Sequence, residues 1–254
     1  EQREPAPPPA MLAALLANPP AIVVEPALPA SSGVEADSDA PSVQESASNE
    51  EPATVLMVGR DREQTQLQAL WYSAAAMGKF ALLQGEAGIG KTTLAEAFVR
   101  SAHAQGAVVL SARCYEGEQD LTLTPFIEML RNAFAHAAGK RTLANLDAHW
   151  TQELRRLLPE LPGSDVDSTD AGDAAGAKAR LYEAVAHVLF AHFSQQGGNR
   201  KAVTAPGILF LDDAQWLDAA SLELLSYLVN RLQTYPMLVL ATLRSGEGEG
   251  EQRV

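Results

Sequence analysis

Phe80-Ala-Leu-Leu-Gln-Gly85-Glu-Ala-Gly-Ile-Gly-Lys91-Thr92 is the stretch that decides the fold. Its first four residues are apolar and bounded by Gly78 and Gly85. Alone they fit a strand or a buried helical segment equally well. The glycine-rich loop that follows selects the strand. Gly85, Glu86, Ala87, Gly88, Ile89, Gly90, Lys91 and Thr92 match the phosphate-loop pattern G-x-x-x-x-G-K-[ST] at every fixed position. The physics requires this spacing, because glycines let successive backbone N–H groups curl around an anion without a Cβ in the way. The helix expected from Lys91 onward turns the positive end of its dipole toward the same anion. Lys91 is expected to reach the β- and γ-phosphates of ATP, and the Thr92 hydroxyl to ligate Mg2+; the nucleotide-binding stretch runs on to Thr93.

Outward from the loop, strands and helices alternate. Upstream, residues 61–77 read as a helix with Leu67, Leu70 and Trp71 on one face, Asp61 as its cap and Gly78 as its stop. Downstream, residues 91–104 form a helix with Leu94, Ala97, Phe98 and Ser101 turned inward, closed by Gly106. Residues 108–110 make a second strand. Residues 120–160 are helical in pattern, 163–176 a loop, 180–193 an amphipathic helix, and 195–201 a polar loop. A third strand at 207–211, a helix at 221–232 and a fourth strand at 237–243 complete the pattern. Such alternation predicts an α/β fold, a parallel sheet with helices on both faces.

Ile208-Leu-Phe-Leu-Asp212-Asp213 describes a buried strand that delivers acids to its C-terminal edge, where ligands bind in sheets of this kind. Asp212 is expected to hold Mg2+, and Asp213 to orient or deprotonate an attacking water as catalytic base beside Lys91. Two acids before a helix also suit an N-cap pair. Ala241-Thr-Leu-Arg244 closes the fourth strand, and Arg244 could donate a charge-assisted hydrogen bond to a γ-phosphate. The alternative for Arg244 is a strand-end arginine in solvent.

The 254 residues carry a net charge of −13, with no basic run. Phosphate backbones are held by clustered Lys and Arg, so direct nucleic-acid binding by this chain is not expected. Hydrophobic residues at 46% suffice for a core. The one cysteine, Cys114, excludes an internal disulfide and is read as structural; the five histidines form no metal-like pair. No apolar run approaches the length that crosses a bilayer. Residues 1–53 are rich in Pro, Ala, Ser and Glu, the composition of a disordered linker, with a short helix at 11–17 as the alternative. The ordered domain is expected over 54–245, with 246–254 a tail. The chain begins at Glu1 and reads as an internal piece of a longer, cytoplasmic protein.

Val58-Gly59-Arg60 and its helix, the loop from Gly85, Arg113-Cys-Tyr-Glu116, Asp212-Asp-Ala-Gln-Trp216 and Ala241-Thr-Leu-Arg244 together resemble the ATPase domain of the STAND class, the signal-transduction NTPases related to AAA+ proteins. The nearest likeness is to the ATP-binding part of large LuxR-type transcriptional regulators. The resemblance covers about residues 55 to 245. It implies a three-layer P-loop NTPase core with sheet order 5-1-4-3-2, and Val58, Gly59 and Arg60 on the adenine side. It also implies an ATP/ADP switch that controls self-association, with slow turnover. In that family a lid and a fifth strand follow the position of Arg244, so the sheet edge beside residues 80–83 is expected to stand open. Asp213 occupies a position where many AAA+ enzymes carry Glu, one methylene longer.

The reading that results is a regulatory ATP–Mg2+ switch that hydrolyses slowly. A module that binds nucleotide without hydrolysing it is the alternative, and a small-molecule kinase a more distant one. The strand bearing Asp212 and Asp213 lies far downstream, and no base for an acceptor hydroxyl stands out. No serine-glycine-glycine signature precedes Asp212, which disfavours an ABC transporter ATPase.

Overall fold

The computed structural model describes residues 21–24 (backbone only), 59–163, 174–195 and 205–244. Val58, the segment at 11–17, most of the loop at 163–176, the loop at 196–201 and the tail lie outside the described residues.

Among the described residues five parallel strands form one sheet: β1 (Ala21–Val24), β2 (Lys79–Gly85), β3 (Val109–Arg113), β4 (Gly207–Asp212) and β5 (Met237–Arg244), in spatial order β1-β2-β5-β4-β3. The four strands β2, β5, β4 and β3 reproduce the expected order 1-4-3-2. The expected open edge is corrected. Ala21–Val24 pairs with Phe80–Leu83 in parallel and fills the place of the fifth strand. The segment supplying it has the composition of a linker, because prolines flank a run only 4 residues long. Edge strands accept proline neighbours, since one side of their backbone needs no partner.

Helices α1 (Asp61–Ser73) and α2 (Lys91–Ala104) cover one face of the sheet. Leu67, Trp71, Leu94 and Phe98 pack there on Ala81, Leu83, Ile208, Phe210, Leu238 and Leu240. Alternate strand residues, Phe80, Leu82, Leu209, Leu211, Val239 and Ala241, point to the opposite face. That face is covered by α3 (Thr124–Ala135), α6 (Ala174–Gln195) and α7 (Ala219–Arg231), with α4 (Ala137–Ala144) and α5 (Ala148–Leu154) filling in below α6. The central strands are apolar without alternation because both faces are buried.

Several boundaries differ from the sequence reading. Helix α1 ends at Ser73, and Arg60 rather than Asp61 stands at its N-cap, with no side-chain capping bond. Gly78 has a packing reason: a Cβ there would lie 2.4 Å from the carbonyl oxygens of Leu232 and Tyr235. The inward face of α2 is Leu94, Ala95, Phe98 and Ala102, while Ser101 is exposed. Strand β3 runs on to Arg113, three residues past the expected end, because Val109-Leu-Ser-Ala-Arg113 alternates as an edge strand does. Among the described residues no helix is long and apolar enough to cross a membrane.

Candidate functional site

All five strands point the same way, so their C-terminal ends share one rim. Register sets the level of each side chain along it. Gly85 stands beside Arg244, Leu83 beside Thr242, and Arg113 beside Asp212. The loop at Gly85, the acids of β4, Arg113 and Arg244 are brought together this way, although 120 residues separate Thr92 from Asp212.

The loop leaves β2 at Gly85 and enters α2 at Lys91. Gly88 and Gly90 have φ of +78° and +90°, in the left-handed region where a side chain is strained. A Cβ would meet no atom at either position, so the backbone and not crowding demands glycine. Glu86, Ala87 and Gly88 are exposed, and Thr93 on α2 also faces out. Lys91 is 6% exposed, and its ammonium donates to the carbonyls of Gly85 (2.8 Å) and Glu86 (2.7 Å). Burial and the charge of Arg244 pull its pKa below the usual lysine value, against an opposite pull from Asp213 and Asp212. Arg60 is buried; its guanidinium donates to the Ile89 carbonyl at 2.7 Å and lies 3.4 Å from Glu63. It holds the loop from the side of α1, next to Gly59 at φ +85°.

The two acids have different surroundings. Asp212 Oδ1 accepts hydrogen bonds from the hydroxyls of Thr92 (2.8 Å) and Thr242 (2.7 Å). Its Oδ2 lies 3.6 Å from Arg113 Nε. Asp213 turns out of the strand at φ +55°, and its backbone N–H donates to the Thr242 hydroxyl at 2.8 Å. Its carboxylate accepts from Gln215 (3.0 Å), Arg244 Nε (3.3 Å) and Arg113 Nη2 (3.4 Å). Burial pushes the pKa of Asp213 up, but the bonds from Gln215, Arg244 and Arg113 outweigh it and leave the carboxyl below the ordinary aspartate value. Gln215 also accepts from the backbone N–H of Arg244 at 3.2 Å, tying the two strand ends together.

Thr92 and Asp212 supply a hydroxyl and a carboxylate, the hard oxygen donors that Mg2+ takes, and they stand within hydrogen-bonding distance of each other. The donor set fits that ion. Cys114 is 3% exposed, and burial, with the acids Asp212, Asp213 and Asp218, pushes its pKa up to about 12. An inert thiol suits the structural role expected of it.

Sequence reasoning missed three participants. Thr242 and Gln215 lie inside motifs that point to other residues, and Arg113 carries no motif chemistry of its own. Their contacts depend on cross-strand register and on the turn after Asp212. The alternation of β3 was the one available signal, since extending that strand to Arg113 puts the guanidinium on the rim.

A 200-residue stretch is 25% identical to an uncharacterized protein of Rhizobium meliloti (strain 1021), covering 74% of this chain and 18% of that relative. The chain thus spans less than a fifth of the length of the relative it matches. Residues 56–240, from the approach to α1 through the first half of β5, match the model of the AAA ATPase domain. With a phosphate loop between β2 and α2, paired acids at the end of β4 and a parallel sheet of the expected order, the chain belongs to the AAA ATPase domain family and carries its P-loop nucleotide-binding core.

Proposed function

We propose that this chain binds ATP with Mg2+ at the rim formed by the Gly85–Thr93 loop, Asp212, Asp213 and Arg244. The observation that carries the reading is the Thr92–Asp212 hydrogen bond, which puts a phosphate-loop hydroxyl and a buried acid at one point. Lys91 neutralises the β- and γ-phosphates, Thr92 and Asp212 hold the metal, and Arg244 senses the γ-phosphate. Val58, Gly59 and Arg60 flank the adenine side. Mg2+ supplies charge neutralisation of the phosphates. Asp213 orients the attacking water. Its carboxylate already accepts from Gln215, Arg244 and Arg113, an engagement that supports slow hydrolysis and keeps a binding-only module as the second reading.

The wider role is a regulatory switch of the STAND class, as in large LuxR-type regulators, with ATP or ADP controlling self-association in the cytoplasm. Gly59-Arg60, Arg113-Cys114 and Asp212-Asp-Ala-Gln-Trp216 support that class. The small share of the Rhizobium relative that is matched supports a module within a larger protein. The acidic balance supports leaving nucleic-acid contact to other parts.

The test is a titration of labelled ATP into the wild-type chain and Lys91→Ala. A charge-assisted contact contributes about 1.5–3 kcal/mol, so the variant should bind at least roughly tenfold more weakly. Equal affinities overturn the assignment.

A further inference from the structure

Thr242 is fully buried on the central strand β5, with β2 on one side and β4 on the other. Its hydroxyl does two things at once. It donates its proton to Asp212 Oδ1 at 2.7 Å and accepts the backbone N–H of Asp213 at 2.8 Å. One oxygen therefore fixes both acids from outside their own strand. The second bond answers a local need. Asp213 takes a left-handed conformation that costs a non-glycine residue, and this turn aims its buried N–H at β5, where Thr242 receives it.

The first bond orders Asp212. With Thr92 and Thr242 both donating to Oδ1, the carboxylate plane is set by two hydroxyls, one on helix α2 and one on strand β5, and Oδ2 is turned toward Arg113. A carboxylate held by two short bonds is pre-organised, whereas one held by Thr92 alone is free to rotate about its own axis. Among natural side chains, only Thr and Ser combine a donor and an acceptor on one short branch, and Thr adds the methyl that packs in a strand.

We propose that Thr242 is a positioning residue for the metal–nucleotide site, acting through Asp212 and Asp213 without touching the ligand. The inference rests on the nucleotide-site reading given above. It makes the gain in ATP affinity that Mg2+ produces depend on a hydroxyl on β5.

The experiment measures that gain, the ratio of ATP affinity in Mg2+ to that in EDTA, for the whole chain and two variants. Thr242→Val keeps the shape and removes the hydroxyl. It should leave affinity in EDTA within about twofold of wild type and cut the Mg2+ gain about tenfold, as expected for one hydrogen bond to a charged group. Thr242→Ser should recover most of the gain. A Thr242→Val chain that melts lower yet keeps the full Mg2+ gain overturns the proposal, because the hydroxyl then only supports the turn. A Thr242→Ser chain that loses the gain overturns it as well, and this arm stands even where Thr242→Val does not fold. A wild-type chain without any Mg2+ gain overturns the nucleotide-site reading itself, a result distinct from either variant outcome.

Discussion

The Thr92 hydroxyl at the start of α2 donates a 2.8 Å hydrogen bond to Asp212 Oδ1 at the end of β4. The bond closes the rim between the phosphate loop and the acids. Asp212→Asn keeps the shape but removes a charge, so it should weaken ATP binding in Mg2+ while sparing binding in EDTA. Isothermal titration in the two buffers checks this, and a parallel loss in both would mean that Asp212 supports the loop and not the metal.

Asp213 sits apart from that bond, held by Gln215, Arg244 and Arg113. Asp213→Asn should therefore leave nucleotide affinity within about threefold and lower phosphate release by tenfold or more, roughly the scale of a general-base contribution. Unchanged turnover would remove the water-orienting role.

The depressed pKa of Asp213 gives a stability prediction of definite sign. A carboxyl that ionises more readily in the folded than in the unfolded chain favours folding above the ordinary aspartate range, near ~3.9. That contribution is lost as pH falls through the lower, folded value. The melting temperature of wild type should thus fall more steeply below about pH 4 than that of Asp213→Asn. Parallel melting curves across that range would contradict it.

Gly90 and Gly78 should fail for different reasons. At Gly90 only the backbone angle matters, so Gly90→Ala should cost about 1–2 kcal/mol in denaturant unfolding. At Gly78 the new Cβ meets two fixed carbonyl oxygens, so Gly78→Ala should cost more. The reverse ranking would show that the stretch after α1 yields easily.

Strand β1 protects the edge of β2. In a parallel pair alternate N–H groups face the neighbour, so replacing Ile22 and Val23 together by proline removes at least one ladder bond. The double variant should melt lower, with faster amide exchange at Phe80–Leu83. Unaltered exchange there would show that β2 needs no cover.

The sequence carried most of this architecture because the phosphate-loop motif is local. Its glycines, Lys91 and Thr92 lie within one turn of chain, and the strand before them and the helix after them are fixed by the same few residues. The place of Asp212 at the end of β4 was legible for a similar reason, as the end of an apolar run. Thr242, Gln215 and Arg113 were not, since their roles arise from register between strands distant in the chain. Strand β1 was hidden by brevity: four residues between prolines give no periodicity to read.

Last in sequence among the described strands, β5 is the middle strand of the sheet. During synthesis the loop strand β2 and the acid strand β4 emerge without the neighbour they share. Ribosomes add about 5–20 residues per second, so β2 waits seconds for Met237–Arg244. Until then the two halves of the rim cannot meet, and no ATP site exists on the nascent chain. The backbone edges that β2 and β4 turn toward β5 meanwhile have no partner, which places nucleotide binding after the completion of β5.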